Sequence, residues 1–198
     1  MEIALCNISV DFPRENEISI FFATSDILHA KMGYSYEYMN IIRANRVEQF
    51  VKINELATVI WNEHYVPIIG NEQVDYMLQW MYDINSLQNQ HEEGHIFYII
   101  ESEGNELGFI SIKEEGTGDW FLNKFYVLTQ KQRTGLGSAL FKFIVDEHPI
   151  DCIRLQVNRQ NYKAINFYFK LGFVIEKVDD FDIGNGYFMN DFVMIWNR

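Results

Sequence analysis

The sequence predicts one globular domain of the α/β class, with α+β character, in which helices flank a central sheet. Strand-like and helix-like patterns alternate from residue 39 to residue 198, and two glycine-containing turns predict hairpins between strands. Hydrophobic residues make up 48% of the chain, which is typical of a folded protein rather than a disordered one. A length of 198 residues is enough for one domain with a substantial core and too short for two.

The first half of the domain begins with a strand that opens at Met39, followed by a helix over residues 46–64. One face of that helix carries Phe50, Ile53, Ala57, Ile60, Trp61 and His64. A second helix is marked by Val74, Met77, Leu78 and Met81. Three strands follow, over residues 96–100, 107–112 and 120–128, and a turn at residues 103–106 joins the first two.

The second half alternates helices and strands. A helix is predicted from residue 134 to about residue 147, before Pro149. Residues 153–157 alternate apolar and polar side chains, which indicates a strand with one exposed face. A short helix over residues 161–170 ends at Gly172. The last two strands, about residues 173–182 and 187–196, join through a glycine-rich turn at residues 184–186.

Residues 1–38 differ from the rest of the chain. They show no helical periodicity and only one plausible strand, over residues 18–23. We predict that they are an N-terminal extension, disordered or loosely attached, beside a domain that spans residues 39–198. A start upstream of a native initiator at Met39 and an added regulatory segment are the alternatives.

The chain is acidic, with a formal net charge of −12. This charge argues against nucleic acid as a partner and favours a cationic one, such as an amine. No run of about 18 apolar residues is present, so no membrane span is predicted. An early Glu2 and the lack of a basic start argue against a signal peptide. Cys6 and Cys152 fit neither a disulfide framework nor a metal cluster, which favours the cytoplasm.

Residues 132–137, with the sequence QRTGLG, lie between a predicted strand and a predicted helix. Glycines at such a junction let the backbone approach a ligand, and the first amides of a helix lack intrahelical partners. A helix start of this kind binds anions, above all phosphates. The run lacks the third glycine of a dinucleotide fingerprint and the lysine of a P-loop. Lys131 and Arg133 add local positive charge, and a tight junction without a ligand is the alternative.

A second run, at residues 155–173, follows with the sequence LQVNRQNYKAINFYFKLGF. Together the two runs resemble the GCN5-related N-acetyltransferase (GNAT) family. That family carries Q/R-x-x-G-x-G/A after its fourth strand, matched here by Gln132, Gly135 and Gly137. It carries N-x-x-A-x-x-x-Y-x-x-x-G-F after its fifth strand, matched by Asn161, Ala164, Tyr168, Gly172 and Phe173. The resemblance covers about residues 39–198.

The resemblance implies both a fold and an activity. The fold is a central mixed, mostly antiparallel sheet flanked by helices and splayed between its fourth and fifth strands, with the two early helices over an acceptor pocket. The activity is transfer of an acetyl group from acetyl-CoA, as co-substrate, to a primary amine of a small molecule or peptide by direct attack. A homodimer that pairs through the C-terminal strands is also implied.

The resemblance assigns roles to particular residues. The backbone amide of Val127 would polarise the thioester carbonyl, and Tyr168 would protonate the departing thiolate. The cofactor-binding residues that it implies are Phe125, Tyr126, Val127, Gln132, Arg133, Thr134, Gly135, Leu136, Gly137, Asn161 and Tyr168. Two of these have other interpretations, because Tyr168 shares a helix face with apolar residues and Asn161 is a good helix cap.

The acceptor amine must also lose a proton, because an ordinary amine with a pKa of about 10.4 is mostly charged at neutral pH. The two motifs name no general base. The acidic and imidazole side chains that remain as candidates are Glu114, Glu115, Asp119, His64 and Asp191, and a water chain is the alternative.

Residues 91–95 match H-E-x-x-H, the signature of zinc peptidases. That chemistry needs both histidines on one face of a continuous helix, together with a third ligand. Gly94 is predicted to end the helix, and His95 leads into the next strand. We therefore predict a polar loop and no metal site.

The sequence thus predicts an N-acetyltransferase. A non-catalytic acyl-CoA-binding module with a regulatory role is the main alternative, and a zinc peptidase is the second.

Overall fold

The computed structural model describes residues 8–14, 17–22, 39–128 and 135–198. Its strands are β1 (Ile8–Arg14), β2 (Glu17–Phe22), β3 (Met39–Ala44), β4 (Ile96–Ser102), β5 (Asn105–Gly116), β6 (Asp119–Val127), β7 (Cys152–Asn158), β8 (Val174–Gly184) and β9 (Tyr187–Asn197). Its helices are α1 (Val47–His64), α2 (Val66–Ile69), α3 (Asn71–Tyr82), α4 (Ile84–Glu92), α5 (Leu136–Glu147) and α6 (Tyr162–Leu171).

The described strands form one sheet in the order β1-β2-β3-β4-β5-β6-β7-β9-β8. Neighbouring strands run antiparallel except for β6 and β7, which are parallel. The fourth and fifth strands from Met39 onward are β6 and β7, so the predicted mixed and mostly antiparallel sheet is confirmed. A parallel pair needs a crossover, and α5 provides it.

The described part of residues 1–38 is a hairpin of β1 and β2. β2 pairs with β3, with Ile20 opposite Met39, so the hairpin extends one edge of the sheet. The sequence indicated a strand only at residues 18–23, and β1 was not predicted. A domain boundary at Met39 stays a prediction.

Helices cover both faces of the sheet, which has a hydrophobic core on each side. β4 shows this directly, because Tyr98 and Ile100 belong to the core shared with α5 and α6. Phe97 and Ile99 belong to the core shared with α1, α3 and α4. All four side chains are at most 2% exposed, which explains the unbroken apolar run predicted for this strand.

α1 confirms the predicted first helix and its apolar face, since Phe50, Ile53, Ala57, Ile60 and Trp61 are all buried. The predicted second helix is α3, but α2 and α4 were not predicted as separate elements. α4 buries only Leu87 among mostly polar residues, so its sequence carries little helical periodicity. No helix of the described ranges combines the length and apolarity that crossing a bilayer requires.

Both predicted hairpins have two-residue turns in which each central residue has a positive φ. Glu103 and Gly104 have φ values of +53° and +77°, and Asn185 and Gly186 have values of +53° and +78°. These values are typical of type I′ turns, whose twist matches that of the adjoining strands.

A β-bulge interrupts the pairing of β5 with β6. Ser111 lies opposite Lys124 and Ile112 lies opposite Leu122, so Asn123 is the extra residue. A bulge bends its strand and increases the local twist. It also places Asn123 and Lys124 on the same face of the sheet, a feature that strict alternation would not predict.

We expect Gly108→Ala to destabilise the fold, because β5 and β6 approach closely at this residue. A Cβ at Gly108 would overlap the carbonyl oxygen of Tyr126 and lie 3.0 Å from the Cα atom of Val127. Backbone atoms cannot rotate away, so the free energy of unfolding should fall by about 1–3 kcal/mol. Urea denaturation measures this change.

Gly116→Ala is the matched control in the same strand. The nearest atom to its added Cβ would be the Cβ of Asp119, at 3.8 Å, which is ordinary contact. Equal loss of stability in the two variants would contradict the close approach at Gly108.

Candidate active site

The parallel strands β6 and β7 pair only at their beginnings. Asp119, Trp120 and Phe121 lie opposite Cys152, Ile153 and Arg154 in that order. Beyond these three pairs β6 continues to Val127 and β7 to Asn158 without further pairing. The carboxyl halves of the two strands therefore part and leave a gap, which confirms the predicted splay.

The peptide groups of Val127 face this gap. The N–H of Leu128 donates to the carbonyl of Leu107 at 2.9 Å, so this pair is hydrogen-bonded across β5 and β6. Bonded and non-bonded pairs alternate along an antiparallel ladder. The next pair, Gly108 with Val127, is therefore of the non-bonded type, and the Val127 N–H is directed toward the side of β7.

α5 begins beside the end of β6, at Gly135. Gly135 is the N-cap and has a φ of +84°, a left-handed conformation that glycine adopts without strain. The N–H of Ala139 is bonded to the Gly135 carbonyl, so the amides of residues 136–138 precede the first intrahelical bond. These amides and the positive end of the helix dipole can bind an anion. Lys131, Gln132, Arg133 and Thr134 lie outside the described residues.

Gly137 has a structural role in packing. A Cβ there would lie 2.9 Å from the ring of Phe167 and 3.8 Å from that of Phe125. The two rings stack with centroids 5.8 Å apart. The second glycine of the motif thus lets the first turn of α5 lie against α6, whereas the sequence suggested only that the glycine lets the backbone approach a ligand.

Tyr168 lies on the core-facing side of α6 and is 8% exposed. Its ring contacts those of Phe167 and Phe173, with both centroid distances at 5.4 Å. Burial raises the pKa of Tyr168 above its ordinary value, and the nearby Tyr65 raises it further. The phenol therefore stays protonated at neutral pH, as a proton donor must.

Asn161 caps α6, since its Oδ1 accepts a hydrogen bond from the Ala164 N–H at 3.2 Å. The same oxygen lies 3.2 Å from Nε2 of His64, and Nδ2 donates to the hydroxyl of Tyr65 at 3.3 Å. Asn161 is therefore a helix cap, as the sequence predicted. The amide also ties α6 to the end of α1.

A cavity of about 130 Å³ lies on the opposite face of the sheet from α5 and α6. Its helical wall comes from α1, α2 and α3, as expected for an acceptor pocket under two helices. The residues lining it are Trp61, Tyr65, Ile69, Gln73, Met77, Met81, Phe121, Asn123, Tyr126, Gln156, Val157, Asn158, Met189 and Asp191. The gap between β6 and β7 thus has a helix start on one side and this cavity on the other.

Of the five candidate bases, Asp191 alone lines the cavity. Glu114, Glu115 and Asp119 are exposed near the amino end of β6, far along the strand from Val127. His64 contacts Asn161 instead. Burial raises the pKa of Asp191 to about 6, against a lowering effect of Arg159 and a further raising effect of Asp180.

Lys124 is a fully buried cation next to Asn123 of the cavity lining, and its burial was not predicted from the sequence. Its Nζ donates to Oε1 of Gln90 at 2.6 Å and to Oδ1 of Asn123 at 2.7 Å. The ammonium also lies 5.2 Å from the ring centroid of Tyr82. Burial lowers its pKa to about 7. The available signal was a lysine inside a strand that is mostly apolar.

The residues of the H-E-x-x-H match point in different directions. α4 ends at Glu92, and Gly94 has a φ of +98°, so the predicted helix stop is confirmed. His91 lies against Phe50, whereas Nδ1 of His95 lies 3.4 Å from the hydroxyl of Ser111. Burial lowers the pKa of His95 to about 4. Within the described ranges, no three His, Cys, Asp or Glu side chains are grouped to hold a metal ion.

The parted parallel strands and the helix start beside them are features of the GNAT fold. Residues 93–175, somewhat less than half of the chain, match the model of the acetyltransferase (GNAT) domain. The matched region contains β6, α5, β7 and α6, which are the elements that build the site.

Two N-acetyltransferases are similar to parts of the chain. The chain is 37% identical over 78 residues to peptidyl-lysine N-acetyltransferase YiaC of Escherichia coli, a match covering 39% of this chain and 49% of that protein. It is 27% identical over 121 residues to the alpha-tubulin N-acetyltransferase of Plasmodium falciparum, covering 54% of this chain and 66% of that one. The matches thus span about half to two thirds of these relatives.

A crystal structure of PaiA N-acetyltransferase from Thermoplasma acidophilum, in complex with coenzyme A, superposes with a TM-score of 0.65. The sequences are 25% identical, and the match covers 81% of this chain and 99% of that one.

We expect Lys124→Met to flatten the pH dependence of stability above neutral pH. The pKa of Lys124 is about 7 in the folded protein and about 10.4 when unfolded. Between these values the unfolded chain binds more protons, so the wild-type free energy of unfolding rises with pH. The variant should lack that rise. Urea denaturation at pH 7 and pH 9.5 measures the difference.

Lys142→Met is the matched control, because Lys142 is an exposed lysine on α5 that pairs with Asp146. It should keep the wild-type rise. An unchanged pH dependence in Lys124→Met would show that Lys124 titrates normally.

Proposed function

We propose that this chain is an acetyl-CoA-dependent N-acetyltransferase that acetylates a primary amine of a small molecule or peptide by direct attack. The observation that carries the proposal is the gap between β6 and β7, which lies between the start of α5 and a cavity holding one buried carboxylate. The coenzyme A in the PaiA structure and the lysine specificity in the name of YiaC support it.

The proposed cofactor site follows the end of β6 into the start of α5. The amides of Gly135, Leu136 and Gly137 would bind phosphate oxygens at the positive end of the helix. Phe125, Tyr126 and Val127 would line the thioester-bearing arm. Gln132, Arg133, Thr134, Asn161 and Tyr168 complete the set by resemblance to the family.

The proposed reaction joins the amine nitrogen to the acetyl carbon and breaks the carbon–sulfur bond. The Val127 N–H would stabilise the oxyanion that forms on the thioester carbonyl. Tyr168 would donate its phenolic proton to the departing thiolate and regain one from water. The acceptor amine would attack from the cavity under α1 and α3.

A homodimer and a cytoplasmic location are parts of the same proposal. β8 is an edge strand, and it exposes the apolar side chains of Val174, Ile175 and Val178. A partner could cover this surface, which the molar mass in solution tests. Cys152 is a buried free thiol, as expected in a reducing compartment.

We expect Gly135→Glu to abolish binding of acetyl-CoA, because a carboxylate would stand at the anion-binding start of α5. Calorimetric titration of the purified chain with acetyl-CoA measures this. Gly135→Asn is the control, since asparagine tolerates a left-handed φ and adds no charge. It should retain most of the affinity. A folded wild-type chain that fails to bind acetyl-CoA would remove the basis of the proposal.

We expect Tyr168→Phe to lower turnover by about 100-fold or more while leaving acetyl-CoA affinity within a few-fold, because only the acidic hydroxyl is removed. Steady-state acetylation of an amine, together with the same calorimetric titration, separates the two effects. Tyr162→Phe on the same helix is the control, because Tyr162 is 70% exposed.

Unchanged turnover in Tyr168→Phe would show that Tyr168 is not the general acid. Its ring would then have only a packing role in the core. Tight acetyl-CoA binding with no transfer to any of a broad panel of amines would instead favour the non-catalytic acyl-CoA-binding module.

A further inference from the structure

Asp191 is the one acidic side chain among the described residues that line the cavity. It lies on β9 opposite Asn158 of β7, and both side chains belong to the cavity floor. Asp191 is only 5% exposed. Its carboxylate is therefore removed from bulk water at the end of the cavity formed by β7 and β9.

The carboxylate has no cation of its own within the described part of the chain. Arg159 is paired with Asp180, and Lys177 is paired with Asp179, the residue opposite Asp191 on β8. Neither Asp191 oxygen takes part in an ion pair or hydrogen bond of the described residues. A buried charge without a partner is costly, so the site is built to receive a cation.

We infer that Asp191 binds the ammonium group of the acceptor and takes its proton, and that the acceptor is a primary amine with an apolar body. This inference rests on the proposed acetyltransferase function. An ammonium group fits the carboxylate in charge and in hydrogen-bonding capacity.

The rest of the cavity defines the body of the acceptor. Half of the residues that line it are aromatic or thioether side chains, among them Trp61, Tyr65, Met77, Met81, Tyr126 and Met189, and the uncharged amides Gln73, Asn123, Gln156 and Asn158 also line it. Aromatic rings also bind cations through their faces, and Trp61 stacks on Tyr65 with centroids 4.4 Å apart. An apolar substituent would bury against these side chains, whereas a second charged group would find no partner among them.

The acceptor nitrogen loses two protons in the proposed reaction. The ammonium N–H bond breaks and its proton passes to a carboxylate oxygen of Asp191, leaving a neutral amine with a free electron pair. That pair attacks the thioester carbonyl, and the sulfur leaves with the electrons of the carbon–sulfur bond and takes the proton of Tyr168. The acylated nitrogen then gives its second proton to water, which leaves the neutral amide. Asp191 then loses its proton to water. Because its pKa is about 6, the carboxyl is mostly ionised at neutral pH and ready to accept.

Burial is the main cause of the raised pKa of Asp191, and charged groups on neighbouring elements adjust it. Arg159, after β7, lowers it, and Asp180 on β8 raises it. From the helical layer, Tyr65 lies close enough for Asp191 to raise the pKa of its phenol. Tyr65 in turn raises the pKa of Tyr168, so the proposed base and acid both adjoin one side chain.

The test compares wild type with Asp191→Asn, using 2-phenylethylamine as an apolar amine and ethanolamine as a polar one. Wild-type kcat/KM for 2-phenylethylamine should fall as pH drops through about 6, because Asp191 becomes protonated. In Asp191→Asn the value at pH 7.5 should drop about 100-fold, and the fall near pH 6 should disappear. Asp182→Asn, at an exposed carboxylate of β8, should behave as wild type.

Direct binding gives a readout without turnover or a variant. Calorimetry with wild type and coenzyme A should show that 2-phenylethylamine binds about tenfold more weakly at pH 5 than at pH 7.5. The uncharged 2-phenylethanol should bind equally at both pH values.

Each outcome separates this inference from the proposed function. If wild type binds acetyl-CoA and acetylates amines but Asp191→Asn keeps its rate and pH profile, the role of Asp191 is overturned and the function stands. Preference for ethanolamine over 2-phenylethylamine would overturn the apolar acceptor. A wild-type chain that does not bind acetyl-CoA would overturn both the function and this inference.

Discussion

The parting of β6 and β7 is the constraint on which the site depends. A parallel pair requires a crossover, so α5 must start at the carboxyl end of β6. Because the strands pair over only three residues each, their carboxyl ends open at that same edge. Topology alone thus brings an anion-binding helix start, outward-facing peptide groups and a passage through the sheet to one place. The bulge at Asn123 bends β6 just before the peptide groups that face the gap.

The bulge also explains the buried lysine. With Asn123 as the extra residue, Lys124 points into the core beneath α4 rather than toward the opposite face of the sheet. Its ammonium holds two amide oxygens, one on α4 and one on the bulge itself. Asn123 lines the cavity, so this interaction fixes a cavity side chain from below. A buried cation with a lowered pKa is therefore part of what shapes the pocket.

The elements that were predicted correctly from the sequence are those that local patterns encode. Alternation and helical spacing located α1, α5, β7 and both hairpins, and two motifs located the splay and the start of α5. Features that depend on contacts between residues far apart in the chain were not predicted. Asp191 is buried between strands whose opposing residues, Asn158 and Asp179, are 33 and 12 residues away in the chain. Gly137 was correctly marked as special, but its neighbour Phe167 comes from another helix. α4 was missed because its burial rests on Leu87 alone.

In the proposed reaction this acidic protein would bind two ligands of opposite charge, the anionic acetyl-CoA and a cationic amine. Different groups of the site would bind each of them. Backbone amides at the start of α5 carry only partial charge, so they can hold phosphates without placing a full cation beside Asp191. Arg159, the described cation that acts on Asp191, is already paired with Asp180. Its pairing leaves the Asp191 charge available to an ammonium group. In the proposed reaction, Asp179 and Asp180 of β8 thus help the acceptor to bind indirectly. They pair with Lys177 and Arg159, which would otherwise neutralise the charge of Asp191.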